Sequence, residues 1–240
     1  MRDVLQIPFS EEEMIVIASD NSGGVGQKNA DAVSVPYEVV SYYSFRVAVM
    51  ECIAAGANPF AAILQNFCGE NAWEALKAGI KKGLTELKIE DIELTGSTES
   101  NFALIQSAAG ITVLGRKRKQ EGGWGLAYTS QSAIGIIGSP LVGNEVVEQE
   151  TEVAPLAIFY KIASMDGVVT LPVGSKGILH ELNQLFEHRY FQEKQVHTDL
   201  DLLKSSGPST CFIVAYPRKK ASEVKSAAGR YFHEVNIDLE

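Results

Sequence analysis

Within residues 17–28 an apolar run passes directly into Asp20, Ser22, Gly23, Gly24, Gly26 and Lys28. That combination suits a bound polyphosphate. Glycines let main-chain N–H groups approach anionic oxygens, a carboxylate at a strand end can hold a divalent cation, and a lysine supplies a point charge. The spacing is neither Gly-x-x-x-x-Gly-Lys-Ser/Thr nor Gly-x-Gly-x-x-Gly, and a glycine turn without a ligand has the same composition. Ser22 reads equally as a phosphate donor or as a cap on the turn. Asp31, close behind, reads as a further metal ligand or as a carboxylate ending the turn.

The elements that must carry these residues follow from hydropathy patterning. Residues 14–18 form a short apolar strand, and residues 32–35 alternate toward Pro36. Val40, Tyr43, Val47, Met50 and Ala54 recur at helical spacing, and Gly56 and Pro59 end that helix. A strand over 60–67 leads to an amphipathic helix over 71–87, with Trp73, Leu76, Ile80 and Leu84 on one face. Another strand is expected over 108–114, and the basic run 116–119, just before residues 121–125, reads as a solvated turn between domains or, less commonly, as a source of one cation over a phosphate. Beyond it come a strand over 133–138, a loop to 153, helices over 154–165 and 178–186, and a strand over 211–215. A surface helix over 221–232 and a polar tail complete the chain. Strands interleaved with helices predict an α/β or α+β architecture.

Composition narrows the functional classes. With 240 residues, 45% of them hydrophobic, the chain can bury a sizeable core as one large domain or two small ones. A net charge of -9 argues against a general nucleic-acid binder, whose basic face would neutralise phosphates. No basic-then-apolar start and no apolar run of about 20 residues is present, so a cytoplasmic protein with no membrane partner is expected. Cys52, Cys68 and Cys211 lack paired metal-site spacing and are expected as reduced thiols. His180, His188, His197 and His233 are scattered, and Tyr42, Tyr43 and Phe45 suit core or dimer packing. Arg46 on that helix reads as a phosphate contact or, more commonly, as an arginine on an exposed helix face.

Four elements arrive in order: Asp20 with residues 24–28 (Gly-Val-Gly-Gln-Lys), then Met50-Glu51 ahead of Ala57-Asn58-Pro59, then Gly96-Ser97-Thr98-Glu99, then an apolar strand over 111–115. This order resembles the aminoimidazole ribonucleotide synthase (PurM-like) superfamily, which includes thiamine-monophosphate kinase, selenophosphate synthetase and a hydrogenase maturation factor. The family pattern is Asp-Gly-Val-Gly-Thr-Lys, Asn-Asp before Gly-Ala-x-Pro, and Gly-Gly-Asp/Glu-Thr. The resemblance covers residues 14–115 well and the remainder faintly. It implies an α+β fold of two domains, with 1–120 binding ATP and Mg²⁺ and forming a homodimer through a mixed sheet that can build a barrel between copies. Residues 121–240 would be a shortened α+β substrate domain. Carried over by position, Asp20, Lys28 and Glu51 would be catalytic, with Asp20, Glu51 and Glu99 on metal. Ser22, Gly23, Gly24, Gly26, Lys28 and Gly96 would bind the nucleotide.

The departures from the pattern restrict the reaction. Gly96 is followed by Ser97 and Thr98 before Glu99, so either Thr98 or Glu99 takes the acid's place. Residues 172–178 read Pro-Val-Gly-Ser-Lys-Gly-Ile where relatives carry Asp-x-Ser-Asp-Gly-Gly-Leu, so both acids are gone and Lys176 stands among them. The long glycine-rich insert of fuller relatives is missing, which argues against aminoimidazole ribonucleotide synthesis. No cysteine sits near the first loop to act at selenium. The compact branch that the chain resembles is α-ribazole kinase, implying phosphoryl transfer from ATP to the hydroxyl of a riboside-like acceptor. A nonenzymatic ATP-binding regulator of the same fold, or a thiamine-monophosphate kinase relative, is the alternative.

Overall fold

The computed structural model describes residues 4–89, 92–119, 128–186 and 189–238. The chain divides into two compact units, Arg2–Gln120 and Glu121–Glu240. Residues 121–125 and His188 lie outside the described residues, as does the junction expected at 120 and 121.

The first unit is built on β1 (Val4–Pro8), β2 (Glu13–Gly23), β5 (Asn58–Asn66), β6 (Glu93–Thr98) and β7 (Ala108–Arg118), with a two-residue ladder of β3 (Val25–Gly26) and β4 (Val33–Ser34). The sheet runs β1-β2-β7-β5-β6, antiparallel except for the parallel β5–β6 pair. It is mixed, as expected, and its edges are open: among the described residues no sheet closes into a barrel. Two helices, α1 (Tyr37–Ala54) and α2 (Trp73–Leu87), pack together, and α1 lies on β2, β5 and β7. Period-2 alternation puts Val16, Ala18, Ala62, Leu64, Ile111 and Val113 into the core with Phe45, Val49 and Met50 of α1. The helices meet closely because α2 carries Gly79 at the crossing, where a Cβ would overlap the Glu38 carbonyl oxygen and Ser41 Oγ.

The basic run is not a turn. Residues 116–118 continue β7, with Arg118 opposite Glu13 and Arg116 opposite Ile15. Alternation then splits the charges: Arg116 and Arg118 are exposed, whereas Lys117 is buried and its Nζ donates to Ala55 O at 3.1 Å. Ala55 is the C-cap of α1, so the ammonium meets the negative end of the helix.

The second unit has α3 (Glu145–Glu148), α4 (Leu156–Ala163), α5 (Gly177–Leu185) and α6 (Ala221–Ala228) around the sheet β10-β12-β8-β11-β9. Its strands are β8 (Ser132–Ile137), β9 (Val169–Pro172), β10 (Val196–His197), β11 (Phe212–Pro217) and β12 (Phe232–Ile237), antiparallel throughout. The expected helix over 221–232 stops at Ala228, where Gly229 turns to φ 57, and the expected polar tail is β12, an interior strand. Ile134, Ile136, Leu171, Ile178, Leu182 and Ile213 form the centre of this core. Among the described residues no helix is long and apolar enough to cross a membrane.

Candidate functional site

The strand carrying Asp20 is longer than its apolar stretch. β2 continues through Gly23, with Asp20 opposite Ile111 and Gly23 opposite Ala108. Asp20 follows Val16 and Ala18 on the helix-facing side, where Ser44 of α1 donates to its carboxylate. Burial raises the Asp20 carboxyl from 3.8 to about 6, against hydrogen bonds from the Asn21 N–H and the Ser44 hydroxyl. Asp20 thus stands three residues before the end of β2 with its carboxyl shifted toward neutrality.

The turn after β2 is tied down by its own residues. Gly24 takes φ 70, and its N–H donates to Ser107 O at 2.8 Å while its carbonyl accepts from Ala32 N at 2.7 Å. Gly26 is required by packing: a Cβ there would stand 2.5 Å from Ser107 Oγ and 2.8 Å from Tyr37 Cε1. At Gly23 a Cβ would meet nothing within 4 Å, and Ser22 beside it is half-buried.

Lys28 and Asp31 fasten this turn to neighbouring segments. Lys28 Nζ donates to the carbonyl oxygens of Phe67, Leu104 and Gln106 at 3.1, 2.9 and 3.3 Å. An ammonium has three donors, so the charge expected to face phosphate oxygens is saturated by backbone. Asp31 accepts from Lys28 N at 2.9 Å and from Ser107 N and Oγ, both at 2.7 Å. Burial pushes its carboxyl up, but these bonds and the Lys28 charge outweigh it and hold the group below the ordinary value. Of the two readings of Asp31, the structure shows the turn-ending one.

The third motif closes the same end of the sheet. Buried Asn66 donates through Nδ2 to Thr98 Oγ1 at 3.0 Å and to Gly69 O at 2.9 Å, and its Oδ1 accepts from Cys68 N at 2.8 Å. Thr98 is therefore committed to the strand ends. Glu99 Oε1 accepts from Asn101 N at 2.7 Å and Phe102 N at 3.1 Å, shaping the loop after β6. At Gly96 a Cβ would run into the Leu64 carbonyl and stand 3.0 Å from the Trp73 ring, so this glycine serves packing. Beside these residues opens a cleft of about 440 Å³, lined in part by Lys28, Phe67, Cys68, Glu70, Glu99 and Phe102. Cys68 Sγ donates to Ala108 O at 3.3 Å, and all three cysteines are free thiols.

Glu51 stands elsewhere. It is seven residues beyond Ser44 on α1, roughly 10 Å along the axis at 1.5 Å per residue. Arg46 is fully buried and not on an exposed face. Among the described residues no three His, Cys, Asp or Glu side chains gather as a metal site, so Asp20, Glu51 and Glu99 do not share one shell within a copy. A single carboxylate such as Asp20 is compatible with the usual Mg²⁺ arrangement, in which one or two carboxylates act together with substrate phosphates.

In the second unit Lys176 precedes α5, and the first helical N–H groups are satisfied by the chain itself: Gly177 N donates to Gly174 O and Leu179 N to Leu202 O at 3.0 Å. His197 pairs with Asp238 at 2.8 Å and His233 with Asp199 at 2.9 Å. Ser44, Asn66 and Ser107 are the residues that sequence reasoning missed. Each is a small polar side chain whose partner lies on another element, and no local pattern announces it.

No protein-family model matches the sequence, and no curated protein sequence matches it. Solved structures do match. Thermotoga maritima PurL complexed with ADP superposes with a TM-score of 0.63 at 13% identity, covering 99% of this chain and 42% of PurL. The HypE–HypF complex gives 0.62 at 13% identity, with 99% of this chain and 88% of that one covered. Escherichia coli HypE, a hydrogenase maturation protein, gives 0.60 at 12% identity over 93% and 80% of the two chains. The chain thus spans about two fifths of the PurL length it matches. At such identities the likeness is one of architecture: the chain has an α+β fold of the kind seen in PurL and HypE.

Proposed function

We propose that this chain is an ATP-dependent small-molecule kinase that transfers the γ-phosphoryl group to a hydroxyl of a nucleoside-like acceptor, with α-ribazole the first candidate. The observation that carries the reading is Asp20, a carboxyl raised to about 6 on the last stretch of β2 before the glycine turn, in a fold like that of PurL complexed with ATP. Asp20 would hold Mg²⁺ with the nucleotide phosphates, and the ion would neutralise and align the phosphoryl oxygens. Exposed Gly23, with half-buried Ser22 beside it, would offer main chain to the phosphates close to Asp20, and Gly24 and Gly26 set the course of the turn. Lys28 acts by holding that turn in place. Glu51 and Glu99, expected on metal by resemblance, do not gather with Asp20 as a group of three within one copy.

The active form in this reading is a homodimer. Cross-strand pairing lines up Leu5, Ile17, Leu114 and Ala61 on the sheet face opposite the helices, and Leu5 is 59% exposed. A second copy of the sheet would cover this apolar row, and Leu114→Lys should then convert a dimer to a monomer in light scattering. The saturated Lys28 favours a second reading, a nucleotide-binding regulator without transfer. An ADP-release assay with ATP, Mg²⁺ and a panel of ribosides separates the two. Acceptor-dependent ADP abolished in Asp20→Asn supports the kinase, and nucleotide binding without ADP formation overturns it.

A further inference from the structure

The cleft beside the glycine turn has a lining that does not suit phosphate. Its cation is Lys28, whose three donors already go to carbonyl oxygens, while Glu70 and Glu99 contribute negative charge. Two phenyl rings border it. Phe102 is 79% exposed and Phe67 41% exposed, so both present apolar surface to an open space of about 440 Å³, within the range of small-molecule sites.

The rings are displayed on fixed backbone. Phe67 N donates to Ala108 O at 3.0 Å, and its carbonyl accepts from Lys28. Phe102 N is held by Glu99 Oε1, and the same Lys28 ammonium grips Leu104 O two residues on. One side chain therefore sets the separation of the two phenyl-bearing segments, which makes Lys28 a positioning residue. Glu70 and Asn71 line the cleft, and a carboxylate and a side-chain amide oxygen can both accept from the N–H edge of a ligand.

We infer that this cleft binds the planar nitrogen heterocycle of a nucleoside, with its face on Phe102 and Phe67 and its N–H edge toward Glu70 and Asn71. Stacking on an aromatic side chain tolerates any heterocycle with a π-face. The ligand class rests on the proposed kinase reading, and the heterocycle comes from ATP or from the riboside acceptor.

The test is titration of the 240-residue chain with adenosine, a benzimidazole riboside and a nonhydrolysable ATP analogue, followed by calorimetry. Wild type, Phe102→Ala, Phe67→Ala and Glu70→Gln are compared, each checked for native circular dichroism. Each phenylalanine variant should weaken heterocycle binding about ten-fold, with Phe102→Leu restoring less than Phe102→Tyr. Inorganic triphosphate with Mg²⁺ should bind wild type and the phenylalanine variants alike. A loss confined to the ATP analogue and adenosine assigns the cleft to the donor, and a loss confined to the benzimidazole riboside assigns it to the acceptor; either supports the inference. Heterocycle affinity unchanged in both phenylalanine variants overturns it. That failure is distinguishable from failure of the kinase reading, which is read separately from Mg²⁺-triphosphate binding in Asp20→Asn.

Discussion

Asp20→Asn should make the protein more stable while removing the proposed metal-nucleotide site. Burial raises the Asp20 carboxyl from 3.8 to about 6, roughly two orders of magnitude in proton affinity. At 1.36 kcal/mol per ten-fold, keeping the group ionised costs about 3 kcal/mol. The folded state holds the proton more tightly than the unfolded chain, so stability is full below about pH 4, falls as pH rises through about 6 and is level above. Asparagine avoids the buried charge but presents amide hydrogens where the Asn21 N–H and Ser44 hydroxyl donate, at a cost of about 1–2 kcal/mol. Urea denaturation at pH 8 should therefore show the variant more stable by about 1–2 kcal/mol, with m unchanged. At pH 4 the advantage should be gone. A difference independent of pH, or a variant less stable at both values, refutes the assignment of a strained carboxylate.

Three further substitutions probe how the turn and helices are held. Asp31→Asn sets amide hydrogens against three donors, one of them the N–H of fully buried Ser107, and should cost about 2 kcal/mol at pH 7 by urea denaturation. Because the Asp31 carboxyl is held low, its contribution is present above the unfolded value of 3.8 and lost as pH falls through the lower folded one, so the penalty should shrink on acidification below pH 4. Gly79→Ala, ordinarily favourable in a helix, forces a methyl group into the Glu38 carbonyl and Ser41, and should lower stability by about 2 kcal/mol in thermal melts. Lys88→Gly relieves a left-handed residue (φ 56) at the C-cap of α2 and should raise stability by about 1 kcal/mol in the same melts.

Both long helices of the first unit were legible because their apolar spacing and the stop at Gly56 and Pro59 are local signals. The strand over 108–114 was legible too, but its extension through the basic run was not: charge masked an alternation that buries Lys117 and exposes its neighbours. β1 and β12 were missed because neither has a full apolar face, and each is defined by the strand it pairs with. The same limit governs the site. Residue types placed Asp20 and the glycine turn at a strand end, but whether Lys28 meets phosphate or carbonyl depends on Leu104 and Gln106, more than seventy residues away. Asp31 could likewise be read as a ligand until Ser107 stood beside it.

The most direct test of the proposed function is calorimetric titration with a nonhydrolysable ATP analogue, with and without Mg²⁺, on wild type and Asp20→Asn. The account predicts Mg²⁺-dependent binding to wild type that is lost in a variant which remains folded. Absence of binding to wild type, or equal binding to both proteins, would contradict it and leave the glycine turn as a structural element of the fold.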